Sequence, residues 1–417
     1  MRTSTALSAL LAAVATLPVH AQTTAFTGAS VWDGTAAPPV VGATLLVRDG
    51  RVVSVGRESP PAGVPVVSLA GKHVMPGLVD VHAHVTGRWA PQGVEDPRRR
   101  VEEELLLFVR YGVTTVNSLG DEPAEAFLVR DAQDDPRLAR ARLFVAGPVI
   151  TSATEAEARA AVAANARAGA DWMKLRYDDN LGTVAKMPWE AVHGAADEAH
   201  RRGYRLATHL FYLEDAKRLL REGSDMVAHS IRDADVDAEV IALLRARQVC
   251  YVPTLTRELS TFVYAEVPAF FDDPFFRRWA DAAEVARLSA PDARRAVADS
   301  PAAARYRVGL GQAQRNLKAL VDAGLLVGMG TDVGPAGRFP GYFEHLELTL
   351  MAEAGLTPAQ ILHTATAGAA ECLQREDVGT LQPGRWADFL VLDADPLEDV
   401  ANVRRLSAVY VAGNLVR

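Results

Sequence analysis

His82 and His84 stand two residues apart in the run LVDVHAHV. A strand has a period of two, so both imidazoles fall on one face, ~6–7 Å apart along the chain. Imidazoles held that close and parallel can chelate one metal ion. Lys174 lies in DWMKLRYD, where Met173, Leu175 and Tyr177 make one face and Trp172, Lys174 and Arg176 the other. The first face suits packing against helices, so the second points inward. An ammonium buried there is costly, and desolvation lowers its pKa by up to ~3–5 units. The neutral amine that results reacts with carbon dioxide to give a carbamate, whose two oxygens can bridge two ions. A lysine paired with a nearby carboxylate is the alternative, and the residues alone leave both open. His209, His229 and Asp332 end further short apolar runs, RLATHLF, MVAHS and LVGMGTDV. Each taken singly reads as a core histidine or a turn aspartate.

Such residues act together only if separate strand ends meet. The middle of the chain alternates short apolar strands with amphipathic stretches such as PWEAVHGAADEAHRRG and EDAKRLLREG. Strands are expected at 78–85, 114–120, 141–147, 171–178, 205–211, 226–230, 249–256 and 326–333. Eight strands alternating with helices is the pattern of a TIM-type (β/α)8 barrel, whose active sites gather at the C-terminal strand ends. His82, His84, Lys174, His209, His229 and Asp332 then converge on one mouth, which is harder to dismiss than any one of them. The segment 257–310 carries many aromatics, among them Phe262, Tyr264, Phe271 and Phe276. It is large for a loop and reads as helical decoration or an active-site lid.

The flanks have a different character. From Ala25 to Leu69 the pattern is β-like, with Asp49-Gly50 between two alternating runs as a hairpin signal. The last forty residues read the same way, with a turn at Gly413-Asn414. Neither flank is long enough to bury a core alone. The two are expected to pair into one small β-sandwich, with the barrel as an insertion. The expected division is a signal peptide at 1–21, sandwich strands at 22–75 and 373–417, and the barrel at 76–372.

The chain has 417 residues, 49% hydrophobic and 23% charged, which excludes a disordered or fibrous protein. A net charge of -8 without a basic run argues against nucleic acid or an anionic membrane as partner. Arg2, the apolar run Ala6 to Leu17 and Val19-His20-Ala21 before Gln22 have the layout of a cleaved signal peptide. The run is too short for a permanent span. The expectation is export to the periplasm or beyond, with no membrane attachment after cleavage. Export would remove cytosolic nucleotide metabolism from the candidate functions. Two cysteines are too few for a disulfide scaffold. Cys250 and Cys372 are expected as buried free thiols rather than a pair.

PGLVDVHAHV, GADWMKL, THL, AHS, GTDVG, ELTLMAEAGLTPAQILHTATAGAAECL and GTLQPGRWADFLVLDADPL resemble the amidohydrolase superfamily across almost the whole mature chain. Within it the chain is most similar to the imidazolonepropionase-related, Xaa-Pro dipeptidase-like branch. The resemblance implies a binuclear site. His82, His84 and Asp332 would bind a buried α metal, His209 and His229 a β metal, and carboxylated Lys174 would bridge the two. Two divalent ions are implied, zinc foremost, with manganese, cobalt and iron also compatible. Such ions bring a bridging water to hydroxide near neutral pH. Asp332 would take its proton and deliver it to the leaving nitrogen. The chain departs from the family's usual wording at HSIRD, where a glycine commonly follows the histidine, and at HLFY, where small residues often follow. Both changes alter the pocket wall rather than the ligands.

Arg176 follows Lys174 by two residues on the same face and nearer the mouth. It reads either as a bidentate grip on a substrate carboxylate or as a salt bridge to Asp178, Asp179 or Asp233. Tyr212 and Arg232 are further substrate-binding candidates, Tyr212 reading first as a wall residue. The leading expectation is an exported, metal-dependent amidohydrolase. It would cleave an amide or peptide C–N bond of a small molecule, an N-acyl amino acid or dipeptide with a free carboxylate. Alternatives are a cyclic-amide or ester hydrolase with the same site, and a non-catalytic binder of metal or small ligand. Asp332 argues against the binder, which needs no proton shuttle. A homo-oligomer is left open.

Overall fold

The computed structural model describes residues 23–416. The expected signal peptide at 1–21 lies outside the described residues. The chain opens with β1 (Thr23–Val31), β2 (Val40–Arg48), β3 (Arg51–Gly56), β4 (Val66–Ser68) and β5 (His73–Pro76). The hairpin between β2 and β3 turns on Asp49 and Gly50, both with positive φ, as the dipeptide demands.

The parallel part follows as β6 (Leu78–Ala83), β7 (Val113–Ser118), β8 (Arg142–Phe144), β9 (Met173–Arg176), β10 (Leu206–His209), β11 (Met226–Ala228) and β12 (Cys250–Val252). β13 (Phe389–Leu392), β14 (Leu406–Val411) and β15 (Asn414–Leu415) close the chain. The last turn falls on Ala412 and Gly413, one residue before the expected Gly413-Asn414, because those two residues take the positive φ.

First and last strands hydrogen-bond into one eight-stranded sheet, ordered β15-β14-β13-β5-β1-β2-β3 with β4 on β1. The join is the antiparallel pairing of β5 with β13, which sets Met75 against Leu390 and Val74 against Val391. Phe26, Phe389 and Tyr410 pack beside it, ring centroids 4.5–5.0 Å apart. Edge and stacked geometries of this kind add to the area they bury.

β6-β7-β8 and β9-β10-β11-β12 form two parallel sheets. Ile150 links them, donating its N–H to the Lys174 carbonyl and accepting from Arg176 N. The stretch 326–333, expected as an eighth strand, forms only isolated parallel bridges, Val327 to Tyr251 and Val333 to Ala83. The reason is close approach. A Cβ at Gly330 would stand 2.5 Å from the Val252 side chain and 2.8 Å from that of His82. Thr331 N and Asp332 N both converge on the His82 carbonyl, at 3.1 and 2.7 Å, which interrupts a regular ladder.

The segment 257–310 is helical. Its aromatics form a buried cluster against the helix Tyr342–Glu353, with Phe276 fully buried 4.8 Å from Tyr342. Cys250 and Cys372 are disulfide-bonded, with Cα atoms 5.3 Å apart, which corrects the expectation of free thiols. They meet because Gly328 lets the helix Ala367–Cys372 approach β12; a Cβ there would strike the Cys372 sulfur at 2.8 Å. Among the described residues, no helix is long and apolar enough to cross a membrane.

Arg142 on β8 and Asp388 beside β13 tie the parallel part to the terminal sheet. Their ion pair spans 2.7 Å, with both side chains almost fully buried. Asp388 also accepts from Ala412 N at 2.7 Å, and Arg142 lies 3.9 Å over the Trp386 ring. Breaking a buried pair by removing one partner costs ~3–5 kcal/mol, because the other charge stays buried. Asp388→Ala should therefore lower unfolding stability by about that amount in urea titration, more than the same change at the exposed Asp134.

Candidate metal centre

β6 is buried along its whole length, and Asp80 fixes its end. Its Oδ1 accepts from His82 N at 2.8 Å and its Oδ2 from the Thr331 hydroxyl. One carboxyl thus clamps the first histidine to the segment that carries Asp332. On β9 the alternation is as read: Met173, Leu175 and Tyr177 join the outer core, while Lys174 and Arg176 face a cavity of about 440 Å³. His209 ends β10. His229 follows β11 with a φ of 89°, unusual for a side-chain-bearing residue, and its Nδ1 lies 2.8 Å from the Thr254 hydroxyl. That turn is held in place by Glu347, which accepts from Leu255 N, Thr256 N and the Thr256 hydroxyl at 2.7–2.8 Å.

The side chains meet at the cavity floor. Asp332 Oδ1 lies 2.9 Å from His84 Nε2 and 3.3 Å from His82 Nε2. Lys174 Nζ is 3.3 Å from the same His82 nitrogen. His229 packs between, its ring centroid 4.6 Å from that of His82 and 4.2 Å from that of His209. Candidate ligand atoms of His82, His229 and Asp332 all lie within 4.8 Å of one another. His209 is turned differently: its Nε2 sits 2.8 Å from Asp178 Oδ2.

Burial sets the charge states. It pushes His82 and His229 well below the ordinary histidine value and His209 down to about 3, so all three are neutral imidazoles. It lowers the Lys174 amine to about 7. Burial would raise Asp332, but the Arg338 guanidinium and the surrounding imidazoles hold it well below the carboxylate range. Burial also opposes charge on His84, yet the bond to Asp332 and its charge shift that histidine upward.

This donor set fits a cation. The Gly120 carbonyl, 2.9 Å away, can only accept, so it takes the proton of His84 Nδ1. That leaves the Nε2 lone pair facing a carboxylate oxygen, a contact that needs a proton or a metal between the two acceptors. Neutral His209 must likewise donate Nε2–H to ionised Asp178, which leaves its Nδ1 as the ligating nitrogen. A carboxylate fixing a metal-binding imidazole through its far nitrogen is a recurrent arrangement in metal sites.

The amidohydrolase family model matches residues 73–416. The chain belongs to the amidohydrolase family. The imidazolonepropionase of Deinococcus deserti is 27% identical over 371 residues, 86% of this chain and 87% of that protein. An uncharacterised protein of Mycobacterium tuberculosis is 29% identical over 235 residues, which are 53% of this chain and only 60% of that relative's length. The crystal structure of a Bifidobacterium longum protein, provisionally assigned as a prolidase, matches with a TM-score of 0.77 at 27% identity. That match covers 95% of this chain and 94% of the other.

Not every residue singled out in the sequence reaches the amidohydrolase cavity. Arg176 does; its Nη2 donates to Asn180 and lies 4.0 Å from Asp178. Tyr212 does not line it: the hydroxyl donates to Asp179 at 3.1 Å, and the ring lies under Lys186. Arg232 is also outside the lining, fully buried in an ion pair with Glu258 and bonded to the Leu210 carbonyl. Both follow their histidines closely in sequence, but the chain has already turned away from the mouth there. Two arginines are among the cavity residues that escaped the sequence reading. Arg257, at the start of the helical insertion, pairs with Glu258, and Arg338 pairs with Asp332 Oδ2. Arg338 is six residues beyond Asp332 in a glycine-rich turn, and only that proximity could have signalled it.

Lys174 gives a test that needs no metal. In metal-free protein its amine titrates near 7, against 10.5 unperturbed. Between those values the unfolded chain holds a proton that the folded chain lacks. Lys174 therefore makes stability rise with pH across that window. Urea unfolding of metal-free Lys174→Met should lose this rise, leaving a flatter profile than wild type from pH 7 upward. Equal slopes would contradict the buried amine.

Proposed function

We propose that the chain is an exported, metal-dependent amidohydrolase that cleaves the amide or peptide C–N bond of an N-acyl amino acid or dipeptide. The observation that carries this reading is the convergence of neutral imidazoles on a buried carboxylate at the floor of a cavity walled by Arg176. His82, His84 and Asp332 would hold one divalent ion, and His229 with Nδ1 of His209 the second. Lys174, carboxylated by carbon dioxide, would bridge them; an amine lowered to about 7 supports this, since only the neutral form reacts. Divalent ions there, zinc foremost, would lower the pKa of a water and polarise the scissile carbonyl.

The remaining work falls to the protein. Asp332 accepts the proton of the attacking water and passes it to the leaving nitrogen as the C–N bond breaks. Arg338 fixes the Asp332 carboxylate by binding its other oxygen. Arg176 takes the substrate carboxylate as a bidentate fork. The two parallel sheets and the bridging stretch would close as a (β/α)8 barrel over 76–372, and the terminal segments as its sandwich. The Cys250–Cys372 disulfide supports an oxidising compartment, periplasmic or secreted. The acidic net charge supports a small-molecule partner over nucleic acid.

Metal content and turnover, measured together on a panel of dipeptides and N-acyl amino acids, test this reading. Wild type should hold about two ions per chain by elemental analysis. Asp332→Asn should keep much of the metal and lose ~10²–10⁴-fold in turnover. His209→Asn should lose metal and activity together. Lys174→Arg keeps the charge but forms no carbamate and should be inactive. Near-normal turnover in Asp332→Asn, or a metal content near zero that added zinc does not change, would sink the reading.

A further inference from the structure

Beside the main cavity lies a second hollow of about 360 Å³, and the two share Thr151 and Arg176 as a common wall. We propose that this annex is the subsite for the side chain of the leaving amino acid, and that it takes an apolar side chain. The proposal rests on the hydrolytic reading above and names the substrate class within it.

Three observations carry it. The first is position. The annex is built by the stretch after β8 (Thr151–Ala153) and the stretch after β9 (Val184–Pro188), which leave neighbouring chain segments at the same end as Lys174 and His209. The second is chemistry. Its charged members already have partners: Asp178 holds His209, and Lys186 Nζ lies 2.6 Å from Asp215 and over the Tyr212 ring. What remains toward solvent is mostly apolar, chiefly Val184, which is 47% exposed, with Ala153 and Ala185, beside the hydroxyls of Thr151 and Ser152. The third is Arg176, which stands between the hollows. Asn180 takes one of its N–H groups, and a guanidinium carries five donors.

The stereochemistry of an α-amino acid connects these. Its nitrogen, carboxylate and side chain branch from one carbon. With the carboxylate on Arg176 and the nitrogen toward the buried imidazoles, the side chain has the annex before it. The cations at the annex are taken, Lys186 by Asp215 and Arg176 by the substrate carboxylate, so an acidic side chain would give up water there for no free counter-charge, and a basic one would meet both cations. Both are disfavoured, whereas leucine or methionine covers Val184 and Ala185 and removes apolar surface from water.

The test uses the full-length, metal-replete protein with Gly-Leu, Gly-Met, Gly-Asp and Gly-Lys, and calorimetric binding of free L-leucine and L-aspartate. Leucine and methionine substrates should exceed the charged pair by at least ~10-fold in kcat/KM. Val184→Asp sits on an exposed loop position; it should cut Gly-Leu by a similar factor, improve Gly-Lys relative to it, and leave metal content unchanged. Arg176→Gln should raise KM for all four. Free leucine should bind wild type more tightly than aspartate and lose that advantage in Val184→Asp. Leucine binding that depends on Val184, without hydrolysis of any dipeptide, supports the subsite and overturns the hydrolytic reading. Hydrolysis with no side-chain preference and no response to Val184→Asp overturns the subsite and leaves that reading standing. Neither hydrolysis nor leucine binding overturns both.

Discussion

The floor of the cavity gathers neutral imidazoles, an amine near its titration point and an ionised carboxylate, all withdrawn from water. Polar groups buried together are costly unless each lone pair and proton finds a counterpart. Much of the surrounding structure meets that constraint. Gly120 accepts from His84, Thr254 holds His229, Asp178 fixes His209 and Arg338 fixes Asp332. The protein partners leave nitrogen lone pairs directed inward, a donor set that suits a cation.

The braces are themselves braced. Thr254 occupies a left-handed conformation that only a well-held turn sustains, and Glu347, from a distant helix, supplies the hold through two backbone amides and a hydroxyl. Asp80 plays the same part under His82 and Thr331. Glycines without side-chain chemistry matter as much. Gly330 admits the Asp332 segment against His82, and Gly328 admits the helix that carries Cys372. The precision of the site therefore depends on residues two and three contacts away from any ligand.

Much of this was legible in the sequence where regular geometry governs. The period of two predicted which side chains of β9 face the cavity, and the alternation of strands and helices brought the histidines, Lys174 and Asp332 to one place. The hairpin at Asp49-Gly50 was legible because its backbone demands those residue types. What escaped depends on irregular approach. The choice of Nδ1 or Nε2 on His209 turns on Asp178, which carries no signal of its own. Arg338 enters through a turn with no periodicity. Tyr212 and Arg232 looked close to the mouth by sequence count, but distance along the chain ceases to measure distance in space once a strand ends. The cysteines are 122 residues apart, and only the packing at Gly328 joins them.

The pairing of β5 with β13 joins residues 73–76 to residues 389–392. A chain emerging in sequence order thus makes one half of this ladder early and must wait for nearly all the rest before the other half exists. Until then β5 presents an open edge, and Arg142 has no buried carboxylate to meet. Such long-range closure is slow, because the entropy of a very large loop is lost before its contacts form. The terminal sheet therefore cannot be completed before residues 389–392 exist, and a chain that stops short of Phe389 leaves β5 with an exposed, adhesive edge.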